Sequence, residues 1–255
     1  MEEIGDFVLE QCKEAQYAEV RVEDHEAEGF VLKSGIPEVA GFERSQGVGI
    51  RVLVKGALAF SSTNILDKEH LKAACQRALK LARNSAPLLK KPITLSEEKV
   101  NVAQYRVPEK KKIADMPQEE KLNYLHRLHQ DMVATKISIP ATYLTLHHNH
   151  TEKYFANSEG SRIRSSIPRI NAFWFATVTN NGKSLQKYQL HFGTGGFELL
   201  DQWDLNNEVC HHLAALDTAL KKGKKTIPGT YDVICGQEIT GIASHESVGD
   251  RKSVV

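Results

Sequence analysis

The sequence predicts an α+β protein: two helix–antiparallel-meander–helix domains, followed by the incomplete start of a third, α/β-type domain. Three observations carry this. Apolar residues recur at helical spacing near Ile4–Ala15, Leu71–Ala82, Leu122–Met132 and Leu205–Leu220. Between these segments the pattern switches to period two, as strands with one buried face require. Glycine-containing turns punctuate the alternating stretches, so the same grammar occurs twice.

The first helix presents Ile4, Phe7, Val8, Cys12 and Ala15 on one stripe. Ala18–Glu23 then alternates, and further strands are expected over Glu28–Lys33, Glu38–Arg44, Gly47–Val54 and Ala57–Ser62, the last two joined by a Lys55-Gly56 turn. Asp67 is placed to cap the second helix, whose Leu71, Ala74, Cys75, Ala78, Leu79 and Ala82 share a face; Asn84 and Pro87 end it. Residues 1–86 thus read as an N-terminal domain and 87–112 as a linker. The linker's charge run Glu109-Lys110-Lys111-Lys112 reads as a solvated loop.

A middle domain is expected over 113–225. Asp115-Met116-Pro117-Gln118 resembles a capping box before a helix with Leu122, Leu125, Leu128 and Met132 on one face. Strands follow over Ala141–His150, Glu152–Asn157, Ser161–Ser166, Arg169–Thr179 and Lys183–Phe192, with turns at Ser158-Glu159-Gly160 and Asn180-Asn181-Gly182. A helix carrying Leu205, Val209, Leu213, Leu216 and Leu220 closes the unit at Gly223. Residues 226–255 read as a third unit, with a strand at Tyr231–Cys235 and a helix over Ile239–Val248. This unit is too short to bury a core and is expected to be truncated.

Composition narrows the function. The 255 residues carry 33 Lys+Arg against 32 Asp+Glu, a formal charge of +1 that gives no electrostatic case for nucleic acid or a membrane surface. No apolar run approaches the roughly 20 residues of a membrane span, and the acidic start Met1-Glu2-Glu3 is unlike a signal peptide. Cys12, Cys75, Cys210 and Cys235 are widely spaced, without the pattern of a disulfide framework or zinc ribbon. A cytoplasmic protein is expected.

Among candidate chemical groups, Ser244-His245-Glu246-Ser247-Val248-Gly249-Asp250 is the sharpest. A His-Glu pair on a helix is half of a zinc-peptidase signature, but the second His expected four residues on is Gly249. His148 and His150 share a strand face without an evident third ligand, and polar residues on an exposed strand is the plainer reading for them and His147. His211 and His212 point about 100° apart on their helix, one of them at the edge of the apolar stripe. Gly193-Thr194-Gly195-Gly196 lacks the Lys-Ser/Thr of a phosphate loop and reads as a flexible turn. Cys75 and Cys210 read as inert core thiols.

Three groups of residues together resemble the PmbA/TldD family. They are Ala18–Glu23 with Glu43–Val54 and Gly56–Asn64; then Asn157-Ser158-Glu159-Gly160; then Gly229–Ile234 with Gly241-Ile242-Ala243-Ser244-His245-Glu246. The resemblance implies a zinc metallopeptidase that hydrolyses peptides or unfolded segments, working as a homodimer or as a heterodimer with a PmbA-type subunit that lacks the metal motif. It implies His245 as a metal ligand and Glu246 as the catalytic base. The family's second His falls at Asp250, and its downstream ligand lies beyond Val255. Positions five apart stand roughly 140° apart on an ideal helix, so such a site needs a bend, which Gly249 suits. With two ligands where a catalytic zinc takes three, the chain is expected to bind zinc poorly and to be inactive alone. The alternative is a non-catalytic PmbA-like dimerisation or substrate-guiding module, or an inactive gene remnant.

Overall fold

The structure, a computed structural model, describes residues 1–249. The chain separates into two units, Met1–Lys221 and a second beginning at Lys222.

In the first unit, α1 (Glu2–Gln11) leads into a long hairpin of β1 (Tyr17–Lys33) and β2 (Ile36–Val54), then β3 (Ala57–Thr63) and α2 (Lys68–Ser85). After β4 (Val102–Arg106) come α3 (Gln118–Ala134), β5 (Ala141–Asn157), β6 (Arg162–Asn180), β7 (Lys183–Thr194), α4 (Glu198–Trp203) and α5 (Leu205–Lys222). The strands form one seven-stranded sheet in the order β3-β2-β1-β5-β6-β4, with β7 also paired to β6. Only β4 runs parallel to its neighbour among these pairings.

Mixed α and β content with an antiparallel sheet agrees with the fold class read from the sequence. The strands are longer than expected: Glu28–Lys33 continues Ala18–Glu23 within β1, and Glu38–Arg44 continues into Gly47–Val54 within β2. The ladder between them continues through the polar residues Asp24, Glu26 and Glu28, which keep the period-two alternation, and has one register shift, between Val31 and Leu32. The two strands turn at Ser34 and Gly35, both at positive φ (48° and 83°), which suits a two-residue hairpin of the twist-compatible kind. Asn181 and Gly182 (49° and 74°) do the same between β6 and β7. Pro168 lies inside β6 without breaking it. It sits opposite His150 of β5, between Ser166, the last residue paired to β4, and Arg169, the first paired to β7. Its carbonyl still accepts from Gly195 N at 3.2 Å, so the missing N–H falls at a gap in the ladder on that side. β4 itself falls within residues 87–112, the stretch read as a linker.

β1 pairs along its length with β5, from Glu19 opposite Asn157 to Lys33 opposite Tyr143. One sheet therefore runs through residues assigned above to an N-terminal and a middle domain. Apolar packing nevertheless gathers into two clusters. The first joins Val20 and Val22 of β1, Ile50 and Val52 of β2, and the face of α2; all six α2 positions named from sequence are buried, and Asp67 caps it through His70 N at 2.8 Å. The second joins Phe30 and Leu32 of β1, Leu144 and Leu146 of β5, and Ile170, Trp174 and Val178 of β6 to α3, α4 and α5. Residues 20, 22, 30 and 32 are all even positions of one strand, so both clusters lie on the same face of the sheet. Between them, on that face, stand Asp24, Glu26 and Glu28.

Two local expectations change. Asp115 lies in a short 3-10 turn (Ile113–Asp115) and does not cap α3; Pro117 occupies the N-cap position, and Gln118 turns its amide to Glu28 instead. The Gly193–Gly196 segment is tied down rather than free. Phe197 N donates to Lys111 O at 2.9 Å, Gly196 N donates to Glu198 Oε1 at 3.1 Å, and a Cβ on Gly196 would stand 2.0 Å from Lys111 O. This contact fixes the Glu109–Lys112 run against α4.

In the second unit, residues 223–236 hold no helix or strand. Tyr231–Cys235, expected as a strand, has no partner among the described residues, and an unpaired strand leaves its backbone groups to water. α6 (Gln237–Ser244) runs directly into a π turn, His245–Gly249.

Candidate functional site

The sheet's middle stretch is where the chain departs furthest from a simple core. Glu28 on β1 stands directly opposite His148 on β5, and both point to the helix-covered face. Lys121 reaches them from α3, where positions 121, 125, 128 and 132 form one buried stripe: a lysine continues the apolar face of Leu125, Leu128 and Met132. Its stem is packed away and its ammonium lies 5.9 Å from the centre of the Phe30 ring and 5.7 Å from that of Phe197. Lys121 is 4% and Glu28 8% exposed, so the pair has left water almost entirely.

The geometry is closed. Glu28 Oε2 accepts from Lys121 Nζ at 2.7 Å and lies 2.8 Å from His148 Nε2, while Glu28 Oε1 accepts from the Gln118 amide. Lys121 Nζ and His148 Nε2 are 3.0 Å apart. With a neutral ring, Nε2 is satisfied either by donating to Glu28 or by accepting from Lys121. Burial opposes ionisation of Glu28, but the hydrogen bonds from Lys121, His148 and Gln118 outweigh it and hold this carboxyl below its ordinary range. Burial, aided by the nearby ammonium, holds His148 below the usual imidazole range despite the facing carboxylate.

Both shifts have the same sign in stability. A group whose folded pKa is depressed contributes stability above its unfolded value and loses it as pH falls through the folded one. The His148 contribution is therefore expected to decline as pH drops below the ordinary value of 6.5, and that of Glu28 below 4.5. Urea unfolding from about pH 8 to about pH 5 should show falling stability, and His148→Gln should flatten part of that decline. An unchanged slope in the variant would contradict this.

This cluster forms one wall of a cleft of about 520 Å³ lined also by Glu26, Phe42, Arg106, Glu109, Lys112, Ile113, Met116, Pro117 and His150. The charge run expected as a solvated loop thus contributes Glu109 and Lys112 to a cleft, Glu109 accepting from Ile113 N at 3.0 Å. Sequence reasoning did not join Glu28, Lys121 and His148. The signal was parity and periodicity: Glu28 shares the face of Phe30 and Leu32, His148 that of Leu146, and Lys121 that of Leu125.

The other candidates fall out differently. His148 is buried, not on an exposed strand; His147 points to the opposite face, its ring over Gly29, and His150 bonds Ser166 Oγ at 2.8 Å. His212 is half-buried with its ring 5.6 Å from Trp174, and His211 is exposed. Cys75 packs in the first core with Cys12; Cys210 is half-buried with Sγ 3.8 Å from Asp131 O. His245 and Glu246 open the π turn, exposed and adjacent. π turns inside helices are frequent at functional sites, and this one places a break within the His-Glu segment. Asp250 and the tail Arg251–Val255 lie outside the described residues.

A mixed sheet with helices packed on one face over two apolar cores defines an α+β protein. The chain belongs to the PmbA/TldD metallopeptidase family: residues 18–82 match the PmbA/TldA metallopeptidase domain 1, and residues 111–222 the PmbA/TldA metallopeptidase central domain, together more than half the chain. It is 30% identical over 236 residues to Metalloprotease MJ0996 of Methanocaldococcus jannaschii, covering 91% of this chain and 51% of that protein. It is 24% identical over 247 residues to a metalloprotease of Methanothermobacter thermautotrophicus, covering 96% and 52%. The chain spans about half the length of the curated relatives it matches. The fold is shared with a proposed modulator of a DNA gyrase from Thermotoga maritima (TM-score 0.65, 18% identity, 89% of this chain and 50% of that one). It is shared also with TldE from Thermococcus kodakarensis (TM-score 0.62, 13% identity, 87% and 47%).

The family implies a metal, and the donors among the described residues do not complete a site for one. Among the described residues no three His, Cys, Asp or Glu side chains converge to hold a metal ion. Among the described residues, too, no helix is long and apolar enough to cross a membrane.

Proposed function

We propose that this chain serves peptide hydrolysis of the PmbA/TldD type, contributing the peptide-handling part of a zinc metallopeptidase. The observation that carries the reading is the match of both family segments in order, followed by the His245-Glu246 pair. By resemblance, His245 is a metal ligand and Glu246 the base. His245 and the carboxylate at position 250 would supply two ligands where a catalytic zinc generally takes three, so no hydrolytic step is assigned to these residues alone. That donor count favours the second reading, a non-catalytic dimerisation or substrate-guiding module working with a PmbA-type subunit in the cytoplasm.

Zinc titration by calorimetry, with peptide cleavage measured in parallel, tests the assignment. The expected result is weak, non-stoichiometric binding, little changed by His245→Ala, and negligible cleavage. Tight one-to-one binding lost in His245→Ala, with chelator-sensitive cleavage, would show that the chain carries a working centre of its own.

A further inference from the structure

We propose that the cleft beside Glu28, Lys121 and His148 binds the C-terminal end of a peptide, with the terminal carboxylate held by Arg106 and Lys112. The inference deepens the peptide-handling reading and rests on it. Three observations lead there.

The first is the charge balance of the walls. Lys121 is spent on Glu28 inside the wall, and Glu26 lies 3.3 Å from Arg44. Glu109 is engaged by the Ile113 backbone. Arg106 and Lys112, both exposed, have no acidic partner within ion-pair distance among the described residues. The cleft's charged lining is therefore balanced, Glu26, Glu28 and Glu109 against Lys121, Arg106 and Lys112, but only Arg106 and Lys112 stand without a partner among the described residues. Two unpartnered cations in an otherwise balanced wall suit a single negative charge; a phosphate dianion or a polyanion would also meet Glu26 and Glu109.

The second is the apolar side. Phe42 is 66% exposed and lines the cleft together with Ile113, Met116 and Pro117. An aromatic ring left this open in a cleft that Arg106 and Lys112 also line fits a ligand with a carboxylate at one end and a side chain next to it. The third is size: about 520 Å³ lies within the range of pockets that enclose small ligands, enough for a chain end rather than a folded partner. A guanidinium grips a carboxylate through two parallel N–H bonds, so Arg106 supplies direction and Lys112 supplies charge.

The test uses the 255-residue chain in the presence of a chelator, so that binding is read apart from hydrolysis. Fluorescence anisotropy is measured for a labelled pentapeptide ending in leucine, once with a free carboxylate and once as the C-terminal amide. The free acid is expected to bind at least about tenfold more tightly, the scale of a charge-assisted pair. Arg106→Gln with Lys112→Gln should reduce the acid to the amide's affinity while leaving the amide and the thermal midpoint unchanged. Equal binding of acid and amide would overturn the proposal, as would a preference that survives the double substitution. Competition by acetate as effective as by the unlabelled peptide acid would also overturn it, as an anion site without peptide character. Metal-dependent cleavage with no acid preference would sink this inference alone; an acid preference without any cleavage in a metal-loaded assembly would sink the peptidase reading alone.

Discussion

Lys121→Ala is expected to destabilise the chain by about 3–5 kcal/mol, as removal of one member of a buried ion pair does. The loss has two parts. Glu28 and His148 remain inside the wall without the ammonium that holds them, and the stem that continues the Leu125–Leu128–Met132 stripe leaves a void beneath Phe30 and Phe197. Lys121→Met restores the packing but not the charge and should recover only part of the loss. Combining Lys121→Met with Glu28→Gln removes both charges together, keeps an amide within reach of Gln118 and His148, and should come within about 2 kcal/mol of the native protein. Urea unfolding followed by circular dichroism reads this directly. A double variant as unstable as Lys121→Ala, with the packing restored and no carboxylate stranded, would instead place the energy in the native ion pair itself.

Trp174→Ala should cost a similar amount, about 3–5 kcal/mol, by a different route. Trp174 is among the largest fully buried side chains of the second cluster, and its indole Nε1 donates to Glu208 Oε1 at 2.9 Å. Truncation empties the space between β6 and α5 and releases Glu208, which keeps His191 at 2.9 Å. Trp174→Phe keeps most of the volume and loses the hydrogen bond, so it should cost about 1 kcal/mol. A Phe variant as unstable as the Ala variant would place the energy in the Glu208 contact rather than in the filled space.

The apolar faces were readable because they repeat locally. All six α2 positions and Leu125, Leu128 and Met132 of α3 needed nothing beyond helical spacing. The turns at Lys55-Gly56 and Asn181-Gly182 announced themselves through residues that tolerate positive φ. The length of β1 and β2 did not, because an acidic stretch such as Asp24–Glu28 looks like a loop until its alternation is followed through. The Glu28–Lys121–His148 cluster was hidden for a stronger reason. Lys121 is 93 and His148 120 residues from Glu28, and no local pattern reports such a meeting. Charged residues also default to solvent in any sequence reading, so Lys121 was passed over in favour of its neighbour Leu122. His245 and Glu246 were visible as half of a zinc-peptidase signature, but a dipeptide alone carries little, and their roles came from the family resemblance.

The pairing of β1 with β5 has a consequence for how the chain is made. Val54 completes the β1–β2 hairpin, yet the inner edge of β1 has no partner before Tyr143 and is fully paired only when Asn157 has been added. At roughly 5–20 residues per second on the ribosome, that edge waits several seconds with its amides and carbonyls open. During this interval it is a template for any neighbouring extended segment. Nascent copies crowded on one messenger would meet at this strand, so a chaperone that shields it early would matter more to yield than any gain in the finished core.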